Sequence, residues 1–407
     1  MRVLLIARCP PYPLHFGDRL ILYHLARELK ARGLTLELIA YTEDEADREQ
    51  LAANEAEYGG FFARIQWLRA WRRGWLGTTA RAVLPGRRFP RSAETVWSLA
   101  LWQAAQTRAE QCDIVHLFGG VQVYECWHAL AGRPALISPY ESYTLYLRRQ
   151  LAQSQGLAFW KALAASFAAR NFESWLYRPF ARTVVVSEAD RRQLAELDPT
   201  LKLAVIANGV DLPPSPAQRP SHETPILLFV GNYAYPPNQD AAQRLARRIF
   251  PAIQERYPQT QLHLVGAEPP ATLRNLANDA IRVTGYVADL SPYWQRATVF
   301  VCPLRFGAGI QNKLLEAFAH GVPAVATPLS VAGIPEAVDG EQLLLAENDA
   351  TSDDSLIEQT LACLEDPAAS AKRAAAARNL TAERYSWAGV AAKYHALYEE
   401  ILTETSG

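Results

Sequence analysis

With 407 residues and roughly 150 per domain, the chain is two or three domains long, which excludes a single small binding module. Lys and Arg number 41 against 42 Asp and Glu, a formal charge of -1, so nucleic acid is not an expected partner and any charged ligand must be met locally. The five cysteines, Cys9, Cys112, Cys126, Cys302 and Cys363, are odd in number and widely spaced, which fits reduced thiols and excludes a disulfide framework or a C-x-x-C metal site.

The first apolar run, Val3 to Ala7, is stopped by Arg8 and Pro10. It is too short for a signal peptide or a membrane span, so a cytoplasmic protein is expected. Apolar on both faces, it reads as a buried parallel strand. A helix follows Gly17-Asp18, with Leu22, Ala26 and Leu29 on one face and Gly33 as a left-handed cap, and then a strand over Thr35–Tyr41. Further strands are expected over Asp113–Leu117, Ala135–Ser138, Thr183–Ser187 and Leu203–Ile206, so the first half reads as doubly wound. From Phe61 to Arg91 the chain carries eight arginines, Trp67, Trp71 and Trp75, and no acidic residue. Two readings of this segment stand: peripheral contact with an anionic membrane surface, or an insertion that covers its own domain.

Five prolines in the fifteen positions from Asp211 to Pro225 mark a linker, which divides the chain into domains over 1–213 and 225–385. The pattern restarts with strands over Ile226–Val230, Gln261–Val265, Ile281–Val283, Thr298–Pro303 and Pro323–Thr327, a second Rossmann-like α/β domain. The last segment, 386–407, is helical, with Val390, Tyr394, Leu397, Tyr398 and Ile401 along one face, and can pack on either domain, including back on the first.

The stretch Phe300 to Pro323 carries the most chemistry. A strand ends near Pro303, Gly307 and Gly309 let the backbone turn, and a helix begins near Ile310 whose free N–H groups suit a phosphate. Ile310, Leu314, Ala317 and Phe318 form its inward stripe, which leaves Lys313 and Glu316 off the core, one turn apart. A Gly-x-Gly before a helix is also an ordinary tight turn, and Lys313 with Glu316 an ordinary solvated pair.

The order strand, Gly-x-Gly, helix with Lys and Glu, Gly-Val-Pro, strand resembles the nucleotide-sugar site of the retaining glycosyltransferases of family 4. These have the GT-B architecture, two Rossmann-like doubly wound domains facing a cleft. Val205 to Asp211, Phe229 to Tyr233, Pro237 to Ala241, Leu264 to Gly266 and Val283 to Val287 resemble further fragments of that family in the same order. By this resemblance the amides of Gly307, Ala308, Gly309 and Ile310 meet the donor diphosphate and sugar, and Glu316 holds the ribose. Gly231, Asn232 and Asn238 open the donor domain, Tyr286 and Val287 offer backbone contacts to the base, and Gly17 stands at the family's glycine-loop position.

Two departures matter. Eight positions before Glu316, where the family usually has a second glutamate, stands Ala308, and the loop from Gly231 to Asp240 lacks the family's Arg and Lys. Arg305 and Lys313 are the available replacements for that pair. After the strand at Ala135, where the family often has a histidine, the chain reads Tyr140-Glu141-Ser142, and His116 is expected near the same sheet edge or as a satisfied core residue. The resemblance implies transfer of a sugar, with retention, from a nucleoside-diphosphate sugar to an unidentified glycan, lipid-linked sugar or small-molecule acceptor in the cleft. The leaving diphosphate is the expected base. No cofactor and no metal are expected, since no Asp-x-Asp cluster suits Mg²⁺ or Mn²⁺. A non-catalytic nucleotide-sugar binding subunit and a GT-B-like sugar-nucleotide epimerase stay open as alternatives, whereas a Rossmann oxidoreductase is disfavoured because Cys9 to Gly17 holds a single glycine.

Overall fold

The computed structural model describes residues 1–14, 17–42, 45–69, 99–119, 132–152, 154–216, 224–347 and 353–406, with positions 123, 127, 129 and 130. The contacts divide it into two compact units, Met1–Ala207 with Trp387–Gly407, and Asn208–Ser386.

The first unit is built on seven strands: β1 (Arg2–Ala7), β2 (Thr35–Thr42), β3 (Arg64–Arg69), β4 (Ile114–Phe118), β5 (Ala135–Tyr140), β6 (Arg182–Val185) and β7 (Leu203–Val205). They pair in parallel in the order β3-β2-β1-β4-β5-β6-β7. Side chains alternate across a strand, so β1 feeds two cores. Val3, Leu5 and Ala7 go to one face, where they meet Leu22, Leu25 and Leu29 of helix α1 (Gly17–Ala31). Leu4 and Ile6 go to the other, with Ala169, Phe172 and Leu176. Burying each such Leu or Ile contributes about 1.5–3 kcal/mol, which is why the opening run is apolar on both faces. Gly33 ends α1 at a φ of 86°, the left-handed cap its position predicts.

On the second face lie the helices α2 (Tyr143–Ala152), α3 (Gly156–Leu176) and α4 (Glu188–Leu197). The C-terminal helix, Trp387–Ser406, belongs to the first unit: its Val390, Tyr394, Leu397, Tyr398 and Ile401 complete the α1 core, and Trp387 stacks on His24.

Strand β3 was not expected, and it changes the reading of the basic tryptophan segment. Trp67 lies on this edge strand and packs against the core, its ring edge-on to Tyr58 at 6.0 Å, so it is partly covered by its own unit. Residues 70–91 of that segment, with Trp71 and Trp75, lie outside the described residues.

The second unit carries β8 (Ile226–Val230), β9 (Gln261–Val265), β10 (Ile281–Val283), β11 (Val299–Cys302), β12 (Ala324–Ala326) and the short β13 (Leu344–Leu345). All pair in parallel, in the order β10-β9-β8-β11-β12-β13. From β8 the chain winds outward one way to β10, then returns to β11 and winds the other way. The strand order reverses between β8 and β11. In an open α/β sheet, that switch point leaves a crevice outside the carboxyl ends of the strands where ligands bind.

Candidate active site

At the switch point of the second unit, two loops meet. After β8 come Gly231 and Asn232, and after β11 the chain runs through Pro303 to Gln311 into helix α5 (Asn312–Ala319). Gly307 and Gly309 adopt φ of 135° and 70°, a region closed to most side chains, so the glycine pair shapes this turn and not merely its composition. Helix α5 starts two residues later than Ile310, and its first flanking residue, Gln311, makes no side-chain cap bond. The helix start therefore offers donors and a positive dipole end toward the crevice. Ala308 and Ile310 are buried, and Gly321 closes the helix at a φ of 66°.

Gly266, in the turn after β9, has a φ of 143°, and a Cβ there would sit 1.9 Å from the Gly231 carbonyl oxygen. Only glycine lets these two backbones approach. Asn238, buried, donates from Nδ2 to the Asn232 carbonyl at 2.8 Å and accepts at Oδ1 from the Lys313 ammonium at 2.5 Å. Lys313 also donates to Gln311 Oε1 at 3.3 Å and lies 5.4 Å from the centre of the Phe229 ring. Burial holds this ammonium below the ordinary lysine range, against the pull of Cys302 and Glu316. Asn232, Asn238 and Lys313 thus form one hydrogen-bonded cluster, with the Asn238 side chain close against Gly231.

Glu316, one turn along α5, is half-buried. Burial pushes its carboxyl up to about 7, opposed by Lys313 and by a side-chain hydrogen bond with Trp294. Trp294 was not foreseen: it is buried, tilted against Phe300 and stacked on His320, and it fixes the position of the carboxylate. Tyr286, 53% exposed, and Val287 lie in the loop after β10. Thr284 Oγ1 ties that loop down by accepting from the Gly266 N–H at 3.1 Å.

Arg305 departs from expectation. Its Nε donates to Asp240 Oδ2 at 2.9 Å and its Nη2 to Oδ1, so the guanidinium fork is occupied by a carboxylate of its own unit. A bidentate pair of this kind fixes the side chain and offsets its charge locally, so a phosphate would have to compete with Asp240 for this arginine. Lys313 has no carboxylate hydrogen-bonded to it among the described residues.

The first unit has its own switch point, between β1 and β4. Arg8, following β1, donates from Nε to Asp18 Oδ2 at 2.9 Å and lies 5.3 Å over the Tyr140 ring. Gly119, at a φ of 105°, leaves room for the Arg8 side chain, which an added Cβ would meet at 2.7 Å. Burial works against the Asp18 carboxylate, but Arg8 beside it holds it below the usual range. Gly17 is the exposed first residue of α1, next to Asp18.

Tyr140 ends β5 at a slip in register against β6 and adopts a φ of 72°. A positive φ costs a tyrosine energy that its surroundings must supply. Just beyond it, the backbone is held by two carboxylates that sequence reasoning missed. Glu173 of α3 accepts from the N–H groups of Tyr143 and Thr144, each at 2.9 Å, and from Ser142 Oγ at 3.1 Å, which caps α2. Asp190 of α4 accepts from the Ser142 N–H at 2.9 Å. Glu141 follows Tyr140, and burial with the charge of Asp190 pushes its carboxyl up to about 7. The Tyr140 hydroxyl is buried without a hydrogen-bond partner among the described residues. An unmade buried bond costs about 1–3 kcal/mol, so Tyr140→Phe is expected to raise stability by about 1 kcal/mol, read as a higher urea midpoint at unchanged slope. A lowered midpoint would mean that the hydroxyl is partnered.

His116 is a core residue. It lies mid-strand in β4, wholly buried, with Nδ1 2.7 Å from Tyr398 Oη and Nε2 2.7 Å from Ser138 Oγ. Burial pushes its pKa well down, so the ring is neutral and ties the C-terminal helix to β5. With both nitrogens engaged, its catalytic assignment is corrected to a structural one. Among the described residues, no three His, Cys, Asp or Glu are grouped to hold a metal ion.

Comparison with known proteins agrees with this geometry. Residues 20–213 match the Glycosyltransferase Family 4 profile and residues 224–366 that of Glycosyl transferases group 1. Over 249 residues the chain is 29% identical to a glycogen synthase of Mycobacterium tuberculosis, a stretch that is 57% of each protein, so the chain spans little more than half the length of that relative. Among solved structures, sucrose-phosphate synthase from Thermosynechococcus elongatus is similar at a TM-score of 0.70, with 17% identity over 99% of both chains. The Anabaena protein Alr3699/HepE in complex with UDP-glucose is similar at a TM-score of 0.67, with 14% identity over 99% of both. Two parallel-sheet Rossmann-like units with these profiles across them make the chain a member of the family 4 glycosyltransferases, of GT-B fold.

Proposed function

We propose that the chain transfers a sugar from a nucleoside-diphosphate sugar to an acceptor hydroxyl, with retention at the anomeric carbon. The observation that carries this is the crevice of the second unit. There a glycine-shaped turn, an uncapped helix start, a half-buried lysine and a fixed glutamate converge on the switch point between β8 and β11. The helix start and Lys313 would hold the diphosphate, and Glu316 the ribose hydroxyls. Charge that grows on the diphosphate as the sugar bond breaks would meet donors already in place, without a metal ion. The leaving diphosphate would take the proton of the acceptor hydroxyl, so no protein nucleophile is required. Tyr140 and Glu141 of the first unit are the groups proposed to bond sugar hydroxyls, and that unit is proposed to take the acceptor.

The UDP-glucose complex of the Anabaena neighbour makes a uridine donor the first to test. Calorimetric titration with UDP and UDP-hexoses should give saturable binding, retained in EDTA, and the anomeric configuration of product by NMR should match that of the donor. Binding without turnover over any acceptor would favour the non-catalytic binding subunit, and inversion would overturn the retaining assignment.

A further inference from the structure

Helix α3 carries a surface that the transfer reading does not use. Leu157, Trp160 and Phe167 are 72%, 65% and 78% exposed, and Leu163 is also exposed. At about 100° per residue these four, with Ala164 and Ala168, fall on one arc, opposite the Ala162, Ala169, Phe172 and Leu176 that enter the core. Lys161 flanks the arc on one side and Arg170 on the other, both exposed. Between Glu141 and Glu173 the sequence has no Asp or Glu, while Arg148, Arg149, Lys161 and Arg170 supply positive charge over α2 and α3.

We propose that this face of α3 seats the first unit on an anionic lipid surface. Apolar aromatic and leucine side chains bordered by cations, on two helices whose one carboxylate, Glu173, is buried and turned inward, match a helix lying in the interface plane of a membrane. A second copy of the chain fits less well: two such faces brought together set Lys161 and Arg170 near their like, with no exposed acid on either helix to pair with them. The helix does not cross a bilayer, since no described helix is long and apolar enough. The surface is also rigidly coupled to the chemistry-bearing loop, because Glu173 on the same helix holds the backbone from Ser142 to Thr144.

Sedimentation of the full chain with phosphatidylglycerol-rich vesicles, against pure phosphatidylcholine, tests this. Binding is expected on the anionic vesicles alone, weakening with salt and falling at least about tenfold in a Trp160→Ser/Phe167→Ser variant whose thermal midpoint is unchanged. Equal binding to neutral vesicles, or none to either, overturns the proposal. So does a loss confined to Trp71→Ser/Trp75→Ser, which would place the contact in residues 61–91. Self-association without vesicles, abolished by Phe167→Ser and with no lipid binding, would make the face an interface between copies. The readout needs neither donor nor acceptor, so it stands or falls apart from the transfer reading.

Discussion

Lys313→Gln is expected to lower turnover about 10²-fold or more while leaving the fold in place. A donor diphosphate brings about two negative charges, and a helix start supplies only about half a positive charge, so a side-chain cation must make up the difference. Arg305 cannot readily do so, because its fork faces Asp240. Lys313 is held by Asn238 at 2.5 Å and by Gln311, in a setting that disfavours its charge, and an arriving diphosphate reverses that preference. Glutamine keeps a donor for Asn238 and removes only the charge, so the loss should fall more on kcat than on donor affinity. Arg305→Gln should reduce turnover far less. Normal turnover in Lys313→Gln would sink the proposed role, and loss in Arg305→Gln alone would return it to that arginine.

Much of the fold was legible because parallel strands buried on both faces are written as short apolar runs. Val3 to Ala7, Ile226 to Val230 and Gln261 to Val265 read directly and are strands over those residues. The two strands that escaped lie at sheet edges. Arg64–Arg69 reads Arg-Ile-Gln-Trp-Leu-Arg, with arginines at both ends and no clean alternation, because only part of it is covered, and Leu344–Leu345 is too short to carry a pattern. In the second unit the glycine turn and helix were legible because their spacing follows from backbone geometry. What spacing could not show was the pairing of side chains far apart in sequence. Asp240 on Arg305, Trp294 on Glu316, and Glu173 and Asp190 on the loop after β5 are separated by tens of residues. For His116 the sequence held both readings, and only its two bonds to Tyr398 and Ser138 decide between them.

Glu316→Ala is expected to weaken donor binding by about 1.5–3 kcal/mol, the range for hydrogen bonds to a charged group, which is roughly 10- to 150-fold in Kd. Donor affinity is also expected to depend on pH. The carboxyl sits at about 7 in the folded protein against an ordinary value of 4.5, because burial outweighs the pull of Lys313. Ribose hydroxyls donate better to a carboxylate than to a neutral acid, so donor affinity should rise as pH rises through about 7 and level off above it. The stability contribution runs the other way. A group whose folded pKa is raised stabilises most below its unfolded value, and that contribution is lost as pH climbs through about 7. Affinity and folding stability should therefore move in opposite directions across this window, and Glu316→Gln, which cannot titrate, should flatten the Glu316 component of both. Glu141 titrates in the same range, also pushed up to about 7, but sits in the first unit, so Glu141→Gln should alter the stability profile and leave the pH dependence of UDP binding intact. Calorimetric titrations of UDP across that range, on the parent chain and both glutamine variants, measure this directly. A UDP affinity that stays level through pH 7 in the parent chain would show that the Glu316 carboxylate does not meet the nucleotide.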